Sequence, residues 1–117
     1  MSSPTLYHNP RCSKSREALS LLEAHQIKPT IIQYLNQAPS VADLTELIKA
    51  LGLTDAREMM RKGEAEYAVL GLDKPSLSQA ALIAAMAEHP RLIERPIFIH
   101  GDRAVIGRPP ERVLEIL

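Results

Sequence analysis

The fold of this chain is decided by residues 5–16, which read Thr5-Leu6-Tyr7-His8-Asn9-Pro10-Arg11-Cys12-Ser13-Lys14-Ser15-Arg16. The first four residues favour a short strand, and the Asn-Pro pair ends it. Apolar side chains then recur near helical spacing, which predicts a helix from Ser13 to about His25. The β-branched run over 30–35 predicts a second strand. A strand, a helix and a strand this close together form a βαβ unit, whose two strands are parallel and joined by a right-handed crossover.

The middle of the chain, at about 40–94, has the pattern of a helical insertion. Ser40 and Asp43 match a capping box in front of an apolar run that stops at Gly52. The other helices predicted for this block are one capped by Thr54, one from Glu64 to Leu70, and one that opens over Ser76-Leu77-Ser78-Gln79 and ends at Pro90.

Strand character returns in the last part of the chain. Residues 97–100 and 103–106 flank Gly101-Asp102, a hairpin turn signal. Pro109-Pro110 suits a helix start, and the short helix that follows is predicted to turn Val113, Leu114 and Leu117 inward. We therefore predict one domain over 1–117 with an α/β, thioredoxin-like fold, a mixed four-stranded sheet and the helical insertion in its middle.

Composition excludes several classes of function. The 117 residues carry 14 Lys plus Arg and 14 Asp plus Glu, so the formal net charge is zero. A nucleic acid or an anionic membrane is therefore not favoured as a partner by overall charge. No apolar run has the length of a membrane span, and no secretory signal pattern is present. A single cysteine excludes an internal disulfide and a finger-type zinc site and fits a reducing, cytoplasmic location. No His, Asp or Glu cluster has the spacing of a metal site, so we predict no metal, and we also predict no bound cofactor.

That cysteine, Cys12, is predicted to be a reactive thiol. It opens a helix beside Arg11, Lys14 and Arg16, and such surroundings lower a thiol pKa from about 8.5 to roughly 3.5–7.5. The spacing from Cys12 to Ser15 is C-x-x-S, so no second cysteine can resolve a mixed disulfide and an outside thiol is needed. Ser15 can donate to the thiolate, and Ser13 or Ser15 is expected to cap the helix.

Residues far from Cys12 complete the predicted site. Arg16 follows Cys12 at C-x3-R, not the C-x5-R of a phosphatase loop, so an oxyanion must be bound by residues from elsewhere. Guanidinium groups suit tetrahedral oxyanions, and the candidates are Arg61, Arg95 and Arg108.

Pro96 follows Arg95 directly before a strand, where thioredoxin-like folds place a cis-proline. The remaining candidates are assigned to the solvated surface: Arg57, Arg91, Arg103 and Arg112.

His8 lies four residues before Cys12. Two interpretations of it stay open on spacing alone. It orients the loop or shares a proton with the thiolate, or it is a structural loop histidine.

Together these motifs resemble the glutaredoxin-coupled arsenate reductase family (ArsC-type). The resemblance covers essentially the whole chain and rests on several motifs in the same order. They are His8 to Arg16, Met60-Arg61-Lys62, His89 to Ile97, and the ending Gly107-Arg108-Pro109-Pro110-Glu111 that is typical of a short branch of the family.

The resemblance implies reduction of arsenate to arsenite with glutathione as co-substrate and glutaredoxin as protein partner. Cys12 matches the family nucleophile, and His8 and Ser15 match residues thought to depress its pKa. The anion-binding residues of the family match Arg61, Arg95 and Arg108. The chain stops at Leu117, whereas longer members carry a C-terminal extension.

Two other functions remain open from the sequence. One is a glutathione-dependent thiol-disulfide oxidoreductase of the same fold, although such an enzyme does not need all three arginines. The other is an Spx-like regulatory protein that binds RNA polymerase. Those relatives carry C-x-x-C as a redox switch, and Ser15 stands in place of the second cysteine here.

Overall fold

The computed structural model describes residues 4–117, which form two compact units. The chain up to Gln37 and from Arg95 to Leu117 forms the first, which we call the sheet unit. Ala38–Glu94 forms the second, the helical unit. None of the helices in this described part of the chain is long and apolar enough to cross a membrane.

The sheet unit contains a mixed sheet of four strands in the order β2-β1-β3-β4. The strands are β1 (Thr5–Tyr7), β2 (Thr30–Ile32), β3 (Ile97–His100) and β4 (Arg103–Ile106). β1 pairs with β2 in parallel and with β3 antiparallel, and β3 and β4 form an antiparallel hairpin. The predicted βαβ unit, the hairpin and the mixed sheet are therefore confirmed.

The second strand is shorter than the predicted 30–35. β2 ends at Ile32 because its partner β1 ends at Tyr7, the residue that pairs with Ile32. Strand-forming side chains beyond that point have no ladder to join, and the chain turns instead.

Helix α1 (Ser13–Ala24) confirms the predicted helix and packs its apolar face on the sheet. Its last turn ends at His25, as the periodicity indicated. The fully buried core around it is aliphatic apart from one ring and consists of Leu6, Ala18, Leu22, Phe98 and Val113, with Val105 at its edge. Burying one such leucine or phenylalanine contributes about 1.5–3 kcal/mol.

The short helix predicted at the end of the chain is a 3₁₀ helix, Pro110–Ile116. Val113 is fully buried, as predicted, but Leu117 is 48% exposed, so its inward assignment is wrong. The tighter winding of a 3₁₀ helix moves residues off the face that α-helical spacing would give them.

The helical unit contains α2 (Val41–Leu51), α3 (Ala65–Val69) and α4 (Gln79–Glu88), with 3₁₀ turns at Ala56–Met59 and Pro90–Leu92. The capping box of α2 is confirmed: the Asp43 N–H donates to the Ser40 Oγ at 3.0 Å, and the Ser40 N–H donates to the Asp43 carboxylate at 3.1 Å. Gly52 ends α2 with a φ of +71°, a conformation that costs a glycine nothing.

One predicted helix start in this unit is wrong by one residue, and another is confirmed. The first 3₁₀ turn is capped by Asp55 and not by Thr54, because the Asp55 carboxylate accepts from the Arg57 N–H. α4 starts within the predicted opening Ser76-Leu77-Ser78-Gln79 and is capped by Ser78, whose Oγ accepts from the Ala81 N–H. In both places the polar side chain nearest the first helical residue reaches the free amides.

Candidate active site

Cys12 is the N-cap residue of α1, between the loop that leaves β1 and the first helical turn. Its N–H donates to the Asn9 carbonyl at 2.9 Å, and its own carbonyl accepts from the Arg16 N–H at 3.0 Å. The thiol therefore lies at the end of the helix where backbone N–H groups are not used within the helix. The predicted strand, loop and helix around the cysteine are confirmed.

The surroundings of Cys12 lower the pKa of its thiol. Burial alone would raise this pKa, but the backbone N–H of Ser15, the hydrogen-bonding and charged side chain of Arg95, and the backbone N–H of Lys14 together outweigh it. A lowered pKa increases the fraction of thiolate, which is the nucleophilic form. The sequence pointed to the cationic side chains beside Cys12, but the cation that acts on it comes from Arg95.

Ser15 holds the loop through its side chain. Its Oγ lies 2.6 Å from His8 Nδ1 and accepts from the Asn9 N–H at 3.0 Å. Ser15 is fully buried, and His8 is 7% exposed. Burial and the nearby charge of Arg16 lower the pKa of His8, so its imidazole is neutral near neutral pH.

The expectation that Ser13 or Ser15 caps α1 through its side chain is wrong. Cys12, and not a serine, occupies the cap position of α1. The Ser15 Oγ points to the loop, where it accepts from the Asn9 N–H. The cap position is thus left to the side chain of the cysteine itself.

Arg95 and Arg108 are joined through backbone and side chain. The Arg108 Nε donates to the Arg95 carbonyl at 2.9 Å. Within residues 4–117 the buried Nε of Arg95 has no hydrogen-bond partner. The sheet unit therefore brings Arg95 to Cys12 and Arg108 to Arg95.

Pro96 follows Arg95 through a cis peptide bond, as the topology suggested, and Arg108-Pro109 is also cis, which the sequence did not indicate. Gly107 packs against Pro96: its N–H donates to the Pro96 carbonyl at 2.8 Å. A Cβ on Gly107 would lie 2.8 Å from Pro96 Cγ and 3.1 Å from Val113 Cγ1, so the close approach requires glycine.

Arg61, the third predicted anion-binding arginine, belongs to the helical unit. Its N–H donates to the Leu92 carbonyl at 2.7 Å. Its side chain forms an ion pair with Glu64, and its Nε lies 3.9 Å from the carboxylate of Glu94. The side chains of Arg61, Glu64 and Glu94 line a depression of about 500 Å³, together with Lys62.

The sequence profile of the ArsC family matches residues 7–116. The chain belongs to the ArsC family. The family membership inferred from the motifs is thereby confirmed. The roles of the individual site residues remain predictions.

Relatives cover nearly the full length of the chain. An "Arsenate reductase" of Haemophilus influenzae is 56% identical over 112 residues, which span 96% of this chain and 97% of the relative. A protein of Escherichia coli strain K12 named "Uncharacterized protein YfgD" is 51% identical over 96% of this chain and 94% of its own length.

Solved structures share the fold of this ArsC-family chain. "Arsenate reductase from Vibrio cholerae" has a TM-score of 0.96 at 56% identity, with 98% of each chain covered. The thioredoxin-like α/β fold predicted from the order of helices and strands is confirmed.

Arg57 is a structural residue that the sequence assigned to the solvated surface. Its side chain is only 14% exposed and forms an ion pair with Asp55 at 3.1 Å. It also donates to the carbonyls of Leu72 and Lys74. The assignment was wrong because charge and spacing do not show which backbone carbonyls a loop will present.

Two cavities border the Cys12 loop in the sheet unit. One of about 570 Å³ is lined by α1 residues from Ser13 to Leu21 and by Pro110 and Glu111. The other, of about 350 Å³, lies between the His8–Arg11 loop and residues 33–36. In the described part of the chain, no three His, Cys, Asp or Glu side chains are grouped so as to hold a metal ion.

Proposed function

We propose that this protein reduces arsenate to arsenite through a covalent adduct between Cys12 and arsenic, with glutathione and glutaredoxin as the source of electrons. The observation that carries the proposal is the Cys12 thiol at the N-terminus of α1, with its pKa lowered by Arg95 and two backbone amides. The names of relatives in the ArsC family support arsenate as the substrate.

Substrate binding is assigned to the arginines. Arg95 contacts Cys12, and Arg108 contacts the Arg95 carbonyl. A guanidinium beside the nucleophile binds an arsenate oxygen and neutralises the charge that would otherwise repel the thiolate. Arg61 is assigned the same role by the family resemblance.

The reaction begins when the Cys12 thiolate attacks arsenic. A sulfur–arsenic bond forms, and one arsenate oxygen leaves as hydroxide or water. Glutathione then attacks the Cys12 sulfur, which forms a mixed disulfide. The sulfur–arsenic electron pair stays on arsenic and reduces As(V) to As(III), which leaves as arsenite.

Cys12 is regenerated in the last step. The glutaredoxin thiol takes the glutathionyl group from the mixed disulfide, and a second glutathione restores glutaredoxin. Two glutathione molecules are thus oxidised to glutathione disulfide for each arsenate reduced, and one water is released. Because Ser15 stands where a resolving cysteine would be, the second thiol must come from outside the chain.

The test is a coupled assay with glutathione, glutaredoxin, glutathione reductase and NADPH. We expect NADPH oxidation only when arsenate is added, and none with Cys12→Ser. Mass spectrometry should show glutathione on Cys12 in the wild-type protein after turnover without glutaredoxin.

Two outcomes contradict the proposal. Full activity of Cys12→Ser excludes Cys12 as the nucleophile. Turnover of a glutathionylated peptide without arsenate, combined with no response to arsenate, favours the thiol-disulfide oxidoreductase instead.

A further inference from the structure

Arg61 is already neutralised by carboxylates within the helical unit. Its Nη1 contacts the Oε1 of Glu64, and its Nε lies 3.9 Å from Glu94. The Arg61 side chain is 29% exposed and that of Glu64 is 17% exposed, so both charges are partly removed from water. Attraction between charges is stronger there than on an open surface. An oxyanion that binds Arg61 must therefore displace Glu64.

The backbone at Arg61 does not depend on the Glu64 carboxylate. The Arg61 N–H donates to the Leu92 carbonyl at 2.7 Å, and the Glu94 N–H donates to the Met59 carbonyl at 2.8 Å. The Glu64 N–H donates to the Arg61 carbonyl at 3.1 Å, which forms the turn that returns the Glu64 side chain to the guanidinium. The carboxylate can therefore leave without loss of the turn.

We propose that Glu64 is a specificity-determining residue, a carboxylate that occupies Arg61 in the free protein and yields to a doubly charged oxyanion but not to a singly charged anion. The proposal rests on the substrate-binding role of Arg61 proposed above. A singly charged anion brings no more charge to Arg61 than Glu64 does, and it also loses translational freedom on binding. A second negative charge doubles the Coulomb attraction to the guanidinium.

The charges around the depression fit this exchange. It is lined by the cations Arg61 and Lys62 and by the carboxylates Glu64 and Glu94, which balance each other. Displacement of Glu64 leaves the cations in excess, which suits an anion in its place. Arg91 lies 3.7 Å from the other oxygen of Glu64 and offers the displaced carboxylate a second cation.

The test compares Glu64→Gln with Glu66→Gln, which removes the same charge two residues away. Glu66 has no ion pair among residues 4–117. Ion pairs on an open surface are worth up to about 1 kcal/mol, and this pair is partly buried, so Glu64→Gln should lower the KM for arsenate by about five-fold or more. Inhibition by nitrate should strengthen, and Glu66→Gln should change neither value. A KM that is unchanged or raised in Glu64→Gln overturns the proposal.

A second variant, at the exposed Arg91, should change the KM for arsenate in the opposite direction. Arg91 is 65% exposed. Arg91→Gln removes the alternative partner of Glu64, so the carboxylate stays on Arg61 and the KM for arsenate should rise. A lower KM in Arg91→Gln contradicts the proposal.

Arg61→Gln separates this inference from the proposed function. If Arg61→Gln leaves the KM for arsenate unchanged, Arg61 does not bind substrate and both ideas fail at this residue. If Arg61→Gln raises the KM but Glu64→Gln does not lower it, only the role of Glu64 fails. In the double variant Arg61→Gln/Glu64→Gln, removal of Glu64 should have no further effect. Calorimetric titration with sulfate in the Cys12→Ser background checks the same effects without turnover. Adding Glu64→Gln should tighten sulfate binding, and adding Arg61→Gln should weaken it.

Discussion

The Oγ of Ser15 lies 2.6 Å from the Nδ1 of His8, and both side chains are buried. The contact joins the residue that follows β1 to the first turn of α1, so it sets the course of the loop between them. Cys12 lies in that interval. The His8–Ser15 contact therefore shapes the loop that carries Cys12, and the amide that hydrogen-bonds to the thiol is the backbone N–H of Ser15.

Replacing Ser15 by alanine should destabilise the protein more than it changes the thiol. Ser15→Ala leaves His8 Nδ1 and the Asn9 N–H without their partner, which costs about 1–3 kcal/mol in buried surroundings. Urea denaturation should show this loss. Ser13 is exposed, so the free energy of unfolding of Ser13→Ala should stay within about 0.5 kcal/mol of wild type. An equal loss of stability in both variants would contradict a stabilising contact between Ser15 and His8.

Removing the Arg95 side chain should raise the pKa of Cys12. Arg95→Gln removes a hydrogen bond and a positive charge that favour the thiolate. The pKa is measured from the pH dependence of alkylation by iodoacetamide. Arg11→Gln is the control, because Arg11 neighbours Cys12 in sequence but is not among the groups that lower its pKa in the structure. A larger effect of Arg11→Gln would show that the chain neighbours set the reactivity after all.

Acidification should destabilise the protein through His8. The pKa of His8 in the folded protein is lowered from 6.5. Between the lowered pKa and about 6.5, His8 therefore binds a proton more readily in the unfolded chain than in the folded protein. The free energy of unfolding should fall as the pH drops below about 6.5 towards the lowered folded pKa, and should be fully retained above that window.

The measurement is the urea midpoint across this pH range in Cys12→Ser, a background in which the thiol no longer titrates. His8→Gln should flatten the slope, whereas His25→Gln should keep it. An unchanged slope in His8→Gln would assign the pH dependence to other groups.

Adding a methyl group at Gly107 should destabilise the sheet unit and disturb the thiol. Gly107→Ala places a Cβ 2.8 Å from Pro96 Cγ, and overpacking of this kind costs about 1–3 kcal/mol. Because Pro96 follows Arg95, the pKa of Cys12 should rise as well. Gly63→Ala has open space around its Cβ and should cost much less. Thermal denaturation and iodoacetamide titration of both variants check the two effects.

Local patterns were enough to predict most of the framework. The apolar spacing of α1, the capping box at Ser40 and the Gly101-Asp102 turn each depend on residues a few positions apart, and the structure confirms them. Errors occurred where neighbouring candidates competed for one cap, as at Thr54 and Asp55. They also occurred where a strand lost its partner, as at Ile32.

The sequence by itself determined that the chain has one thiol at a helix start, no second cysteine to resolve a disulfide, and an ordered set of motifs that place it in the ArsC family. These properties reside in residue identity and local spacing. Only the tertiary structure decided that Arg95 acts on the thiol, because strand pairing brings distant segments together. It alone decided that Arg61 starts out paired with Glu64 and that Ser15 holds His8, because charge partners and hydrogen-bond partners depend on side-chain positions.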